Sequence, residues 1–129
     1  MSLSYLKEAL SSIDIKADWV GLREVNEVTT WRVIRDGNPQ ANSRNSDHGI
    51  MVEVLSNGQF GYYGSKNTEI KNIQSAAENA LKQANIAAQN SIYSFDENVR
   101  PVSKGNYQTT FSKSVDQISA EKINEILQR

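Results

Sequence analysis

Gly49-Ile50-Met51-Val52-Glu53-Val54-Leu55-Ser56-Asn57-Gly58-Gln59-Phe60-Gly61-Tyr62 is the stretch that decides the fold. Ile50, Val52 and Val54 alternate with Met51 and Glu53, and Phe60 and Tyr62 flank Gly61. A period of two sends successive side chains to opposite faces, the mark of a half-buried strand. Between the two runs stands Asn57-Gly58, a dipeptide that accepts the positive φ angles of a tight hairpin. The stretch predicts two antiparallel strands with one face turned toward a core.

Upstream, the same rhythm recurs. Val20 and Leu22 alternate with Gly21 and Arg23, and Trp31 and Val33 with Arg32, before a second turn signal at Asp36-Gly37. Strands are expected near 18–27, 29–35, 40–46, 49–55 and 59–64. The polar run Gln40 to Asp47, just after Pro39, reads as an edge strand or a loop. Ahead of them, Leu3, Leu6 and Leu10 share a helical face, predicting a short helix from Ser4 to about Ser12 with Ser4 as its cap.

Downstream, Thr68 opens a long helix. Ile70, Ile73, Ala77, Ala80, Leu81, Ala84 and Ala88 form one stripe of mostly small residues. Such a stripe lets a helix lie close to the sheet, and Phe60 and Tyr62 are expected to fill the space beneath it. From Ser91 to Ser114 no period holds, so an extended connector is expected, with one short strand at Tyr107 to Phe111. Ser119 then caps a helix start, with Ile118 and Ile123 in hydrophobic-staple positions. The apolar pattern still runs at Arg129, with no Gly or Asn cap, so the helix reads as cut off. The fold class expected is α+β: an antiparallel sheet of four to five strands, a long Ala-rich helix on one face, a short N-terminal helix and a C-terminal helix start.

Charge narrows the function. The chain has 14 basic and 15 acidic residues among 129, with no basic run, which argues against nucleic acid as a partner. No apolar run has the length of a membrane span and no secretory signal opens the chain, so no membrane partner is expected and the localisation expected is cytoplasmic. There is no Cys and a single His, His48, so disulfides and a thiolate zinc site are excluded and a self-contained zinc centre lacks ligands.

Other chemistries fare no better. His48 as a general base needs an orienting partner, and Asp47 beside it in a strand points to the other face. Glu24 with Glu27, and Asp96 with Glu97, are not set in apolar sequence that would raise a carboxyl pKa, and read as solvated. No Gly-x-Ser-x-Gly elbow occurs. Gly58, Gly61 and Gly64 lie along a hairpin strand and read as close packing, not as a phosphate loop. Of Trp19, Trp31, Phe60, Tyr62 and Tyr63, most are assigned to the core, with one of Tyr62 and Tyr63 facing outward or toward a partner. No catalytic, cofactor-binding or metal residue is assigned.

Several of these runs, in order, resemble the amino-terminal domain of the TldD/PmbA family. Ala17-Asp18-Trp19-Val20-Gly21-Leu22-Arg23 is similar to its first strand, and Arg32-Val33-Ile34-Arg35-Asp36-Gly37 to its second strand and turn. Ser46-Asp47-His48-Gly49-Ile50-Met51-Val52-Glu53-Val54 resembles its Gly-hydrophobic-x-Val-x-Val strand. Asn57-Gly58-Gln59-Phe60-Gly61-Tyr62 resembles its Gly-x-aromatic-Gly-aromatic strand. The helix from Thr68 to Ala88 follows in place, and Pro101, Gly105-Asn106-Tyr107 and Ser119-Ala120-Glu121-Lys122-Ile123 are like the segment leading to the catalytic half. His48, where the family often has Arg, and Pro39, where an apolar residue is common, depart from the pattern.

The resemblance implies a division into an α+β amino-terminal domain over 1–98 and, over 99–129, a connector and helix start leading to an absent catalytic half. It implies a non-catalytic domain of a zinc metallopeptidase acting on peptides, one that shapes substrate access and subunit contact. In the family the zinc is held by a His-Glu-x-x-x-His helix and a later Cys in the carboxy-terminal half, so zinc is expected there and no cofactor in this chain. The implied partners are a peptide substrate and a related subunit, as a homo- or heterodimer. The family is also associated with a modulator of DNA gyrase phenotype. The alternatives are the same domain of the metal-free, TldE-like partner subunit, with a regulatory role, and a free-standing protein-binding module.

Overall fold

The structure, a computed structural model, describes residues 2–128. Helix α1 (Leu3–Ser12) is followed by β1 (Trp19–Arg35), β2 (Asn38–Ser56), β3 (Gln59–Ser65), helix α2 (Ile70–Ala88) and helix α3 (Ala120–Leu127), with single helical turns at Glu97–Val99 and Val115–Gln117. The strands form one sheet in the order β1-β2-β3. β2 and β3 pair antiparallel from Ile50↔Ser65 to Ser56↔Gln59.

The expected α+β class holds, but among the described residues the sheet has three strands, the first two of them long, where four to five were expected. The reason lies in the turns. Among the described residues only Asp36-Gly37 (φ 50° and 73°) and Asn57-Gly58 (φ 52° and 75°) adopt the left-handed pair that reverses a chain in two residues. Nothing between Glu27 and Thr29 can do so, and β1 runs straight through. Gly49 does not break β2 either. A Cβ there would lie 2.7 Å from the Ser65 carbonyl oxygen, so this glycine serves close strand packing. Gln40 to Asp47, expected at an edge or in a loop, belongs to the central strand of the order, with Pro39 near its start. Because β3 reaches only as far as Ile50, no strand of the described residues pairs with that part of β2 on its other side.

The chain divides into two compact units: the residues up to Glu27 with Asp47–Val102, and Val28–Ser46 with the residues from Ser103. The core of the first is aliphatic. Ile50, Val52 and Val54 of β2 meet Ile73, Ala76, Ala77 and Ala80 of α2, with Ala9 of α1 and, partly buried, Val20 and Leu22 of β1. The small-residue stripe does bring α2 down onto the sheet. What it meets on β3, however, is Gly61, whose Cβ would stand 1.9 Å from the Ala80 carbonyl oxygen. Phe60 and Tyr62, expected beneath the helix, therefore lie on the opposite face, because neighbours in a strand alternate.

Local details follow from side-chain chemistry. α1 begins one residue earlier than expected, and its cap two residues earlier: Ser2, not Ser4, accepts from the Tyr5 N–H. α2 begins at Ile70 behind Glu69, not at Thr68, whose carbonyl accepts instead from the Tyr5 hydroxyl at 2.6 Å. Gln74 acts as a stand-in strand for Asp14, accepting from its N–H at 2.9 Å and donating to its carbonyl at 3.0 Å. The buried Ser56 hydroxyl donates to Asn85 Oδ1 at 3.0 Å, and Asn57 Nδ2 donates to the same oxygen, which fixes the β2–β3 turn to α2.

In the second unit Ser119 caps α3 as expected, accepting from the Lys122 N–H at 3.2 Å. Ile118, Ile123 and Leu127 line a cavity of about 360 Å³ with Thr30, Arg32 and Arg44, and Arg44 pairs with Asp116 at 3.4 Å. The Arg32 Nε is buried there with no hydrogen-bond partner among the described residues. The strand expected at Tyr107 to Phe111 is absent: both aromatic rings are exposed, with no strand neighbour to cover them. Among the described residues no helix is long and apolar enough to cross a membrane.

Candidate functional site

Val54 pairs with Gly61 on the helix side of the sheet, so the register leaves Glu53 opposite Tyr62 and Leu55 opposite Phe60 on the other side. That face is not solvent. The segment 91–102, expected to be a plain connector, folds back over it. The Phe95 N–H donates to the Gly58 carbonyl at 2.8 Å, and the Gln59 amide donates to the Tyr93 carbonyl. Phe60 is the hub of an aromatic cluster, with Trp19 edge-on at 6.3 Å, Phe95 at 5.8 Å and Tyr62 stacked at 6.2 Å. Leu55 is 2 % exposed beneath it.

Arg100 fastens the end of this segment. Its Nε and Nη2 both donate to Glu53 Oε1, the first at 3.2 Å, and Nη2 also reaches the Tyr62 hydroxyl at 3.4 Å. The guanidinium lies 4.8 Å from the centre of the Phe60 ring, in cation–π range. Burial pushes the Glu53 carboxyl up, but the Arg100 and Tyr62 hydrogen bonds and the charges of Arg100 and Arg23 more than offset it. The Glu53 pKa thus falls below the usual 4.5. For Tyr62, burial first and the Glu53 carboxylate second hold the phenol above its usual 10.0.

A lowered carboxyl pKa stabilises the fold above its unfolded value and stops doing so as pH falls through the folded one. A Glu53→Gln chain is therefore expected to unfold at a lower urea concentration than the parent at pH 7. The gap should narrow as pH falls below about 4.5, where Glu53 of the unfolded chain takes up its proton, and close only once pH passes below the lowered folded value. Parallel urea titrations at pH 7 and pH 3.5 measure it, and a gap of the same size at both would show that the ion pair contributes nothing.

Beside this clasp opens a cleft of about 380 Å³, walled by Trp19, Gly21, Arg23, Glu53, Tyr62 and Arg100. Gly21 is required by the wall: a Cβ there would lie 2.3 Å from the Trp19 ring, which rests across the strand. Arg23 Nη2 touches Met51 Sδ at 3.3 Å, a weak acceptor, and forms no ion pair among the described residues.

The residues weighed from sequence are not gathered here. His48 Nε2 sits 2.8 Å from Glu24 Oε1, so its partner comes from the neighbouring strand and not from Asp47. Glu24 is thereby taken out of any pair with Glu27, which three residues along a strand lies on the other face. Asp96 accepts from the Asn98 N–H at 2.9 Å as a turn cap, next to an exposed Glu97. Gly58 forms the turn and Gly61 meets the helix. None of the five aromatics belongs to the fully buried core: Trp19 and Phe60 are half-buried, while Trp31, Tyr62 and Tyr63 are exposed. Tyr62 and Tyr63, neighbours on opposite faces, are both exposed, where one had been expected to face outward. Among the described residues no three His, Cys, Asp or Glu side chains come together as a metal ion would need, so the residues present do not fit a zinc centre.

Sequence reasoning missed the set Arg23, Glu53, Tyr62 and Arg100. Its signal was Val54-Leu55, two consecutive apolar residues in an otherwise alternating strand, which betrays cover on both faces.

A family model described as PmbA/TldA metallopeptidase domain 1 matches residues 20–84, just over half of the chain, from the start of β1 into α2. Comparison with curated proteins and with solved structures gave no match.

Proposed function

Because the chain belongs to the PmbA/TldD metallopeptidase family through its first domain, we propose that it serves as the non-catalytic amino-terminal domain of a peptide-cleaving zinc enzyme. In this reading it shapes substrate access and contact with a related subunit, and the zinc and its ligands belong to the carboxy-terminal half. The carrying observation is that the family match covers the sheet and its helix together, the scaffold rather than a connector. The ligand count agrees with it: a catalytic zinc takes three protein ligands, and this sequence has one His and no Cys. No catalytic step is assigned to any residue here.

A peptide has a place to lie. The first part of β2, with no strand partner on one side among the described residues, offers backbone hydrogen bonds that read any sequence. The same domain in a metal-free partner subunit would look alike, and the ligand count suits it equally.

The chain with added zinc is expected to hydrolyse no unstructured peptide, while mixing it with the catalytic half in trans should restore cleavage that neither gives alone. Hydrolysis by the chain itself above a metal-free blank would overturn the reading. So would a catalytic half whose rate is the same with and without it.

A further inference from the structure

We propose that the cleft at Trp19, Arg23 and Tyr62 binds the carboxylate of a peptide's C-terminal residue, with the apolar side chain of that residue against the Trp19 ring.

The argument begins with charge. Of the two guanidinium groups in the cleft, Arg100 is committed to Glu53 and Tyr62. Arg23 is not: among the described residues its one side-chain hydrogen bond goes to the Met51 thioether, a poor acceptor for a cation with five N–H donors in a planar fork. The three charged walls sum to a surplus of one positive charge, and that surplus sits on Arg23. A carboxylate matches the fork with two parallel hydrogen bonds. Glu53, itself ionised, repels a second acid from the Arg100 end, so the cleft takes one carboxylate, at one place.

Shape supplies the rest. Gly21 presents no side chain, and the Trp19 ring lies over it as a flat apolar wall within reach of the same opening. A ligand that satisfies both features carries a carboxylate and an apolar group a few bonds apart. The last residue of a peptide chain does so, whereas inorganic phosphate or acetate would leave the ring uncovered. At about 380 Å³ the cleft suits one residue rather than a long segment. That the ligand is a peptide rests on the function proposed above; the cleft and its charge do not.

The test uses the whole chain with Trp31→Phe, so that Trp19 is the remaining Trp reporter. It is titrated with an N-acetylated tripeptide ending in phenylalanine, once as the free acid and once as the C-terminal amide. The free acid should give a saturable change in Trp19 fluorescence, with the amide binding about tenfold or more weakly, the loss expected for a charge-assisted hydrogen-bond pair. Arg23→Gln should remove the difference between acid and amide, and Arg23→Lys should keep part of it. Arg23 is exposed, so both variants should unfold with the parent in urea. Should either not, the acid-to-amide ratio on the parent still decides.

Equal affinity for acid and amide, no saturable change, an acid preference that survives Arg23→Gln, or displacement by an equal concentration of inorganic phosphate would each overturn the assignment. Hydrolysis by the chain would instead sink the function proposed above and leave this site standing, so the two failures are told apart.

Discussion

Gly61→Ala is expected to destabilise the chain by about 3 kcal/mol or more, at the upper end of what one inserted methyl does to a packed interior. The added Cβ would lie 1.9 Å from the Ala80 carbonyl oxygen and 2.7 Å from the Ala84 nitrogen. Non-bonded carbon needs about 3.5 Å, and both obstacles are helix backbone, which has no rotamer to change. Relief therefore requires α2 to lift off the sheet by more than an ångström, and that separates Ala76, Ala77 and Ala80 from Val52 and Val54. Gly64→Ala is the control. Its nearest obstacle is the Ile50 carbonyl at 3.9 Å, an ordinary contact, and the methyl reduces the freedom of the unfolded chain, so a change within about 1 kcal/mol is expected. Urea unfolding of the two variants measures the contrast. Equal midpoints would mean that the helix does not rest on this glycine.

That glycine also shows what could be read from the residues and what could not. Asn57-Gly58 and Asp36-Gly37 were legible as turns because their backbone demand is local: few other dipeptides accept two left-handed residues. The Ala stripe of α2 was legible for the same reason, since its period lies within one element. Strand count was misread where polarity alone suggested a break, as at Gln40 to Asp47, because polar residues in a strand exposed on both faces cost little. Phe60 and Tyr62 were placed under the helix on the ground that aromatic residues fill cores. Yet the two-residue turn at Asn57-Gly58 already pairs Val54 with Gly61, so the apolar alternation of β2 puts Phe60 and Tyr62 on the far side. The register carried the answer, and hydrophobicity outvoted it.

The candidate site was hidden for a different reason. Glu53 and Tyr62 come from paired strands, Arg23 from β1, and Arg100 from a segment without period, bound through single residues. Phe95 and Arg100 fasten 91–102 by one backbone hydrogen bond, one aromatic contact and one clasp. No spacing rule describes such a segment, because its order comes from the surface it lands on. His48 gave the same lesson in reverse: its candidate partner in sequence was Asp47, and the partner in space is Glu24, across a strand pair.

The cover that 91–102 gives the second face has a sharp thermodynamic consequence at Leu55. This residue is 2 % exposed and next to Val54, which is also buried, although neighbours in a strand face opposite ways. Leu55→Ala is therefore expected to cost about 2–5 kcal/mol, the range for a large aliphatic side chain removed from a packed site. A bare sheet face would make the same change nearly neutral. Leu55 and Phe95 line one cavity of about 330 Å³, so the two should couple. With Phe95→Ala already in place the site is open to water, and Leu55→Ala should then cost less, by about 0.5–3 kcal/mol, than it does in the parent. Four urea curves (parent, each single variant, and the double) close the cycle. Losses that add to within about 0.5 kcal/mol would mean that Phe95 does not cover Leu55. The cleft, whose Arg100 wall hangs on the same segment, would then lose its frame.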